Sequence, residues 1–263
     1  MTTLSEATRD LRKLGTGVRW RAGFLVGTPI PAEYPDELRS TIKRVRRHTL
    51  SSPQRLAALC DAVEYVARRP IEGDIVECGV WRGGSMMAAA LTLQRLGETD
   101  RGLHLFDTFA GMPEPSEADE PSPYDAYSPQ KRWRRQSKGS NASTWAAVPV
   151  ERVEEAMMST GYPADRVHCV PGMVEDTLPE RAPEKIALLR LDTDRYESTK
   201  HELEQLYPRL VEGGILIIDD YGHYEGARRA VDEYFADTGE VVLLNRIDYT
   251  GRIAIRTTPG TAG

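Results

Sequence analysis

Short apolar runs, each about the length of one strand, alternate with helix-forming segments along most of the chain. Seven of these runs predict strands, at residues 71–77, 103–107, 166–170, 186–192, 214–220, 241–244 and 251–255. The runs at 186–192 and 214–220 are nearly continuous in apolar residues, as expected of parallel strands that are buried on both faces. The last two runs are expected to form a terminal pair, with at least one strand antiparallel. The pattern predicts an α/β fold built on a mostly parallel seven-stranded sheet.

Helical periodicity fills the segments between the predicted strands. Ser51-Ser52-Pro53 caps a helix with an apolar face of Leu56, Leu59, Cys60, Val63 and Val66. Further helices are expected at 86–91, 153–158, 199–210 and 227–235. Pro35-Asp36 marks a helix start within the first 50 residues, where apolar positions are too sparse for an independent core. We therefore predict a helical extension at residues 1–50 and a main domain at 51–263.

A long segment with little periodicity lies at residues 111–146. It is rich in Pro, Ser, acidic and basic residues, and a loop of this length inside a domain is usually a lid, a binding loop or disordered. Its aromatic residues are Tyr124, Tyr127, Trp133 and Trp145. Because plain linkers contain few aromatic residues, we interpret the segment as a loop that covers an acceptor site.

Charge and composition exclude several classes of protein. A formal net charge of −6 and a pI near 5.5 argue against a nucleic-acid partner, and we interpret the basic clusters at 43–47 and 131–135 as solvated faces. No apolar run approaches the ~20 residues that cross a bilayer, and the first residues lack the apolar core of a signal peptide. The 3 cysteines are scattered, which predicts neither disulfides nor a zinc site. We expect a soluble cytoplasmic protein with no membrane partner.

A glycine-rich turn follows the first predicted strand. Gly79, Gly83 and Gly84 come after Glu77 and before the helix-forming run at 86–91, which is the order strand, tight turn, helix. The spacing differs from Gly-x-Gly-x-x-Gly, and a carboxylate at the strand end would repel a pyrophosphate. The turn therefore argues against a nicotinamide-dependent oxidoreductase and suits a cationic ligand such as S-adenosylmethionine (SAM). Taken alone, it is also compatible with a purely structural turn.

Four predicted strands end in carboxylates, and these ends are expected to meet at one edge of the sheet. The residues are Glu77, Asp107, Asp192 and the pair Asp219-Asp220. In an open parallel sheet the ligand lies at the carboxyl ends of the strands. Asp107, after the second strand, suits the two ribose hydroxyls of an adenosyl group. Clustered like charges are costly unless a cation neutralises them.

The later acids form an oxygen-only set. Asp192, Asp194, Asp219 and Asp220 come from two strands, and no cysteine or well-placed histidine joins them. Such ligands favour magnesium, manganese or calcium over zinc. A cation held there can lower the pKa of a substrate hydroxyl, and a neighbouring carboxylate can remove its proton. The oxygen would then attack a sulfonium methyl group.

Several motifs resemble the macrocin O-methyltransferase family of SAM- and metal-dependent enzymes. The matching segments are 76–84, 106–113, 171–177, 191–196 and 217–221, and the match runs in order from about residue 49 to 235. The resemblance implies a Rossmann-like class I methyltransferase fold. It also implies that the protein methylates a hydroxyl of a sugar, in a saccharide such as a methylated mannoside or on a glycosylated natural product.

The resemblance also implies roles for individual residues. It implies SAM contacts for Glu77, Gly79, Gly83, Gly84, Ser85, Asp107 and Thr108, with Asp176 beside the adenine. It implies Asp192, Asp219 and Asp220 as magnesium ligands and Asp194 as the general base, although Asp192 and Asp194 could exchange these roles. Family members are commonly dimers or larger, so a homodimer or higher homo-oligomer is expected. The 125–141 loop and the N-terminal segment differ most from the family.

The leading hypothesis is therefore a magnesium-dependent SAM O-methyltransferase that acts on a sugar. Methylation of a phenol or catechol is a second enzymatic interpretation, since adjacent hydroxyls of either kind can chelate a metal. A non-catalytic SAM-binding protein is the alternative from another class. The acidic set at 192–194 and 219–220 argues against it, because a protein that only binds SAM needs no metal cluster.

Overall fold

The computed structural model describes residues 28–125, 127–137 and 143–257, and a seven-stranded sheet forms its centre. The strands are β1 (Asp74–Cys78), β2 (Leu103–Asp107), β3 (Val167–Pro171), β4 (Ile186–Leu191), β5 (Leu210–Ile218), β6 (Asn245–Arg246) and β7 (Arg252–Ile255). Their order in the sheet is β3-β2-β1-β4-β5-β7-β6. The pairs among β1 to β5 are parallel, and β7 is antiparallel to both β5 and β6. The predicted α/β fold and mostly parallel sheet are confirmed.

Helices cover both faces of the sheet. They are α1 (Asp36–Val45), α2 (Pro53–Arg68), α3 (Gly84–Arg95), α4 (Pro129–Gln136), α5 (Val150–Met158), α6 (Val174–Thr177), α7 (Tyr196–Leu206) and α8 (Glu225–Thr238). Short 3-10 helices lie at Arg46–His48, Ala164–Arg166 and Tyr207–Arg209. Within the described residues, no helix has both the length and the apolar character needed to cross a membrane.

Alternating strand residues divide the core into two clusters, one on each face of the sheet. Leu188 packs into a cluster with α1, α2, α3 and α5, whereas the next residue, Leu189, packs into a cluster with α7 and α8. Every residue of β4 is buried, because this strand lies in the middle of the sheet and has helices on both sides. The carboxyl ends of the central strands are therefore held rigidly.

The N-terminal segment is described only in part. Helix α1 begins at Asp36, as predicted, and its residues Ile42 and Val45 are fully buried in the main core. Arg44 donates a hydrogen bond to the carbonyl of Ser159 at 2.5 Å. The described part of the extension thus lies on the main domain. Residues 1–27 of the predicted extension lie outside the described residues, and the domain boundary stays a prediction.

One sequence-based expectation about local structure is wrong. The apolar run 241–244 is not a strand; the edge strand β6 begins at Asn245, and the side chain of Val241 is 96% exposed. Only Asn245 and Arg246 reach the register of β7, so the preceding residues have no strand to pair with. The 111–146 segment, which shows little periodicity in sequence, contains the helix α4. Ser128 caps this helix by accepting a hydrogen bond from the backbone N–H of Lys131 at 3.3 Å.

Candidate active site

A cavity of about 780 Å³ opens at the carboxyl ends of the central strands. Its wall combines the glycine turn after β1, the end of β2, the residues after β4 and β5, and parts of the 111–146 loop. The segment 48–51, between α1 and α2, closes one side. The cavity therefore lies where the sequence predicts the carboxylates to converge.

Asp107 ties the glycine turn to the end of β2. One carboxylate oxygen accepts hydrogen bonds from the backbone N–H groups of Val80, at 2.7 Å, and Trp81, at 3.0 Å. The other accepts from the N–H of Phe109 at 2.8 Å. Burial raises the pKa of Asp107, while these hydrogen bonds to the ionised form act to lower it. The turn is thus held in shape by the acid of the neighbouring strand.

Glycine is required at the start of this turn by close packing. Gly79 has φ of 83°, and a Cβ at this position would lie 2.0 Å from the carbonyl oxygen of Asp192. The N–H of Asp192 donates to the carbonyl of Cys78 at 2.8 Å, so the ends of β1 and β4 are pressed together here. Any larger residue would separate the glycine turn from the acids that follow β4.

The structure brings most, but not all, of the residues predicted to contact SAM to the cavity. Those on its wall are Gly79, Gly84, Ser85, Asp107 and Thr108. Glu77, Gly83 and Asp176 are not on the wall. Gly83 instead provides the left-handed residue, with φ of 81°, that precedes α3.

Glu77 lies beneath the turn and is 1% exposed. Its carboxylate forms an ion pair with the guanidinium of Arg190, which lies near the carboxyl end of β4. Burial raises the pKa of Glu77 to about 8, although the charge of Arg190 opposes this rise. Sequence analysis missed Arg190. The signal was present, because this arginine interrupts an otherwise apolar run at 186–191.

Three of the predicted acids form a compact cluster on the cavity wall. Carboxylate oxygens of Asp192, Asp194 and Asp220 all lie within 4.8 Å of one another. The backbone N–H of Asp194 donates to Asp220 at 3.2 Å, with Asp194 in the left-handed region at φ of 66°. Burial raises the pKa of both Asp194 and Asp220, and the negative charge of Asp194 adds to the rise at Asp220. Three converging carboxylates fit a hard divalent cation such as Mg²⁺.

Asp219 lies beside this cluster and is held by two arginines. Its carboxylate pairs with Arg55, from α2, and lies 2.7 Å from a guanidinium nitrogen of Arg190. Arg55 also contacts Asp248 at 3.2 Å. Of the three predicted magnesium ligands, Asp192 and Asp220 thus join Asp194 in the cluster, whereas Asp219 lies outside it; Asp192 is also paired with Arg190, at 2.8 Å.

The far side of the cavity is formed by His223 and the 111–146 loop. The ring of Tyr124 stacks on His223 with centroids 5.6 Å apart, and the carboxylate of Asp125 lies 3.5 Å from Nε2 of the histidine. Nδ1 of His223 lies 3.1 Å from the hydroxyl of Tyr249. His223 lies in the turn between β5 and α8 and is buried on the cavity wall. Its partner in the loop is remote in sequence and could not be predicted.

The 111–146 loop is closed at its base. The N–H of Met112 donates to the carbonyl of Trp145 at 2.8 Å, and the hydroxyl of Ser143 donates to the carbonyl of Met112 at 2.8 Å. Gly111, with φ of 100°, has no room for a Cβ, which would lie 2.2 Å from the carbonyl oxygen of Ser143. The two ends of the loop are therefore joined next to the glycine turn, and its central part reaches His223.

Solved structures with the same fold include two methyltransferases. The O-methyltransferase NovP is 30% identical, with a TM-score of 0.71, over 95% of this chain and 100% of its own. The calicheamicin methyltransferase CalS11 is 22% identical, with a TM-score of 0.61, over 92% of this chain and 91% of its own. The likeness to CalS11 supports the class I methyltransferase fold alone.

Characterised relatives are also similar in sequence. A tetracenomycin rhamnoside 4′-O-methyltransferase of Streptomyces olivaceus is 37% identical over 204 residues, covering 78% of this chain and 74% of that protein. The mycinamicin III 3″-O-methyltransferase of Micromonospora griseorubida is 34% identical over 202 residues, covering 76% of each chain. The profile of the macrocin O-methyltransferase family (TylF) matches residues 40–255. The chain therefore belongs to the macrocin O-methyltransferase family, whose members are SAM-using transferases.

Proposed function

We propose that the protein transfers a methyl group from SAM to a hydroxyl of a sugar and that it uses Mg²⁺ in the reaction. The observation that carries the proposal is the shared cavity. The glycine turn with Asp107 forms one part of its wall, and the oxygen-only cluster of Asp192, Asp194 and Asp220 forms another. A methyl donor and a metal-bound acceptor group would thus meet in one space.

The proposed SAM site is the wall formed by Gly79, Gly84, Ser85, Asp107 and Thr108. The chemistry of the wall supports this role, because the turn approaches closely without side chains and Asp107 offers acceptors to hydroxyl groups. Glu77 and Gly83 are proposed to act on SAM through the shape of the turn, and a direct contact of Asp176 with adenine stays a prediction. The acidic surroundings also suit the positive sulfonium.

The proposed metal ligands are Asp192 and Asp220, which lie in the carboxylate cluster, and Asp219, which would have to exchange a contact with Arg55 or Arg190 for the metal. Bound Mg²⁺ would neutralise these carboxylates and lower the pKa of an acceptor hydroxyl. Asp194 is the proposed general base, since its carboxylate lies on the cavity wall beside the proposed metal ligands, within reach of an acceptor hydroxyl held there. Ion pairs with Arg190 and Arg55 hold the carboxylate of Asp219 in position.

A sugar is the proposed acceptor because of the relatives. The name of the Streptomyces olivaceus relative specifies a rhamnosyl group and its 4′ oxygen. No comparable observation favours a phenol or catechol.

We also propose that the protein is cytoplasmic and that it forms a homodimer or a higher oligomer. Light scattering at several protein concentrations would test the oligomeric state. A monomer at all concentrations would contradict that part of the proposal.

The deciding experiment measures methyl transfer from labelled SAM to macrolide glycosides, methylated mannosides and catechols, with Mg²⁺ and again with EDTA. We expect transfer to a sugar class that is lost in EDTA and restored by Mg²⁺. Transfer that is insensitive to EDTA would contradict the proposed use of Mg²⁺ in the reaction. Transfer to catechols alone would contradict a sugar as the acceptor. SAM binding without any methyl transfer would favour a non-catalytic protein.

A further inference from the structure

Exposed apolar side chains are concentrated at the mouth of the active-site cavity. Among the described residues, 8 large apolar side chains are exposed, and 4 of them line this cavity. These are Leu50, Tyr124, Tyr127 and Tyr249, with exposed fractions between 36% and 52%. They come from three separate segments of the chain. A cluster of exposed apolar groups around a cavity is typical of a ligand-binding surface, and we call these four residues the apolar rim.

The apolar rim is built by specific contacts. Tyr124 meets Tyr249 edge to face, with ring centroids 5.3 Å apart, and stacks on His223. The hydroxyl of Tyr249 lies 3.1 Å from Nδ1 of His223, which orients its ring. Cations of α4 flank Tyr127, with the guanidinium of Arg135 at 4.2 Å from its ring centroid. The rings are thus held in place before a ligand arrives.

The apolar rim is adjacent to the proposed methyl-transfer centre. His223 supports two of its rings, and the backbone N–H of His223 donates to the carbonyl of Asp220 at 2.9 Å. If the reacting hydroxyl of an acceptor sugar lies at the acidic cluster, the group that is linked to this sugar would therefore lie against the apolar rim.

The chemistry of the apolar rim selects among the groups that a sugar can carry. A second sugar would require several hydrogen-bond partners, whereas the rim presents mainly the rings of three tyrosines and the aliphatic side chain of Leu50, and the hydroxyl of Tyr249 already contacts His223. The carboxylate of Asp125 lies 3.5 Å from Nε2 of His223. A flat apolar group would cover the rings and exclude water from them.

We propose that the apolar rim is an aglycone subsite, which selects acceptors whose sugar is linked to a flat apolar group. The proposal rests on the proposed function and deepens it. It assigns Tyr124 and Tyr249 as specificity-determining residues that act outside the methyl-transfer centre.

The test compares acceptors that carry the same sugar as a methyl glycoside, a naphthyl glycoside, a disaccharide and a nucleoside diphosphate sugar. We expect kcat/KM for the naphthyl glycoside to exceed that for the methyl glycoside by about tenfold or more, as expected for one buried aromatic group. Tyr124→Ala and Tyr249→Ala should each lower this ratio severalfold, mainly through KM. Tyr124→Phe should retain the ratio, because it keeps the ring.

The matched control is Leu243→Ala, which removes an exposed apolar side chain that is not on the cavity wall. It should leave the ratio unchanged. Equal kcat/KM for the methyl and naphthyl glycosides, or a preference for the disaccharide or the nucleotide sugar, would overturn the subsite while leaving sugar methylation intact. Absence of transfer to every acceptor would instead overturn the proposed function.

Discussion

A guanidinium nitrogen of Arg190 lies 2.7 Å from the carboxylate of Asp219, below the floor of the cavity. The same guanidinium pairs with Glu77 and reaches Asp192 at 2.8 Å. Burial acts to lower the pKa of Arg190, but the charges of Asp192 and Glu77 prevail and raise it. One buried cation thus pairs with acids at the carboxyl ends of β1, β4 and β5.

Removal of this cation should destabilise the protein strongly. Arg190→Met would leave Glu77 buried without its cation and would leave Asp219 with Arg55 alone, and breaking a buried ion pair typically costs about 3–5 kcal/mol of unfolding free energy. Urea denaturation would measure the loss. The control is Lys185→Met, which breaks the exposed pair with Glu72 and should cost less than about 1 kcal/mol. A loss at Arg190 no larger than that of the control would contradict its supporting role.

Asp194→Asn should abolish most of the methyl transfer while preserving SAM binding. The amide keeps the shape of the side chain but cannot accept the proton, and loss of a general base typically lowers kcat by about 10²–10⁴-fold. Turnover and calorimetric SAM affinity would be measured on the same preparation. Asp165→Asn, at an exposed position, is the control. Retention of a substantial fraction of the wild-type rate would remove Asp194 from this role.

The acidic cluster should bind a divalent cation in solution. Asp220→Asn is expected to weaken Mg²⁺ or Mn²⁺ binding at least about tenfold, because it removes one charged ligand. Asp219→Asn provides the informative comparison, since that carboxylate is paired with Arg55 and Arg190. Calorimetry with Mn²⁺ would measure both. Full metal affinity in Asp220→Asn would refute the assignment, and a larger effect of Asp219→Asn would show that metal binding displaces an arginine.

Asp107→Asn should weaken SAM binding by about tenfold or more, because an amide oxygen is a weaker acceptor than a carboxylate. It also loosens the turn, since Val80 and Trp81 donate to this side chain. Asp74→Asn is a matched control at the opposite end of the sheet, where the carboxylate accepts from the N–H of Gly102 at 2.9 Å. Equilibrium dialysis with labelled SAM would compare them, and equal affinity in the two variants would contradict the proposed cofactor site.

The strand ends and the glycine turn could be predicted because each depends on neighbours in sequence. Asp107 and Asp192 each follow a buried run directly, so their position at the edge of the sheet is a local property. Arg55 could not be assigned to Asp219, because the two residues are 164 positions apart. The tertiary packing of the 111–146 loop likewise decides that Tyr124 stacks on His223. Long-range pairs therefore account for what the sequence alone does not reveal.

Glu202 is fully buried on α7, and it forms no ion pair with any of the described residues. One carboxylate oxygen accepts a hydrogen bond from the hydroxyl of Thr193 at 3.2 Å, and the other has no hydrogen-bond partner. Burial raises the pKa of Glu202 well above its ordinary value of 4.5, and the charges of Glu175 and Asp192 raise it further. The folded protein is therefore expected to release this proton at a higher pH than the unfolded chain does.

This difference makes the unfolding free energy depend on pH. Below pH 4.5 the carboxyl of Glu202 is protonated in both the folded and the unfolded protein, so it does not lower the unfolding free energy. As the pH rises, the unfolded chain releases the proton first, so stability falls by up to about 1.4 kcal/mol per pH unit. Glu202→Gln removes this slope and should become more stable relative to wild type between pH 5 and pH 8. Urea denaturation in EDTA would measure it, with exposed Glu212→Gln as control. A constant difference between variant and wild type at both pH values would show that Glu202 is ionised in the folded protein.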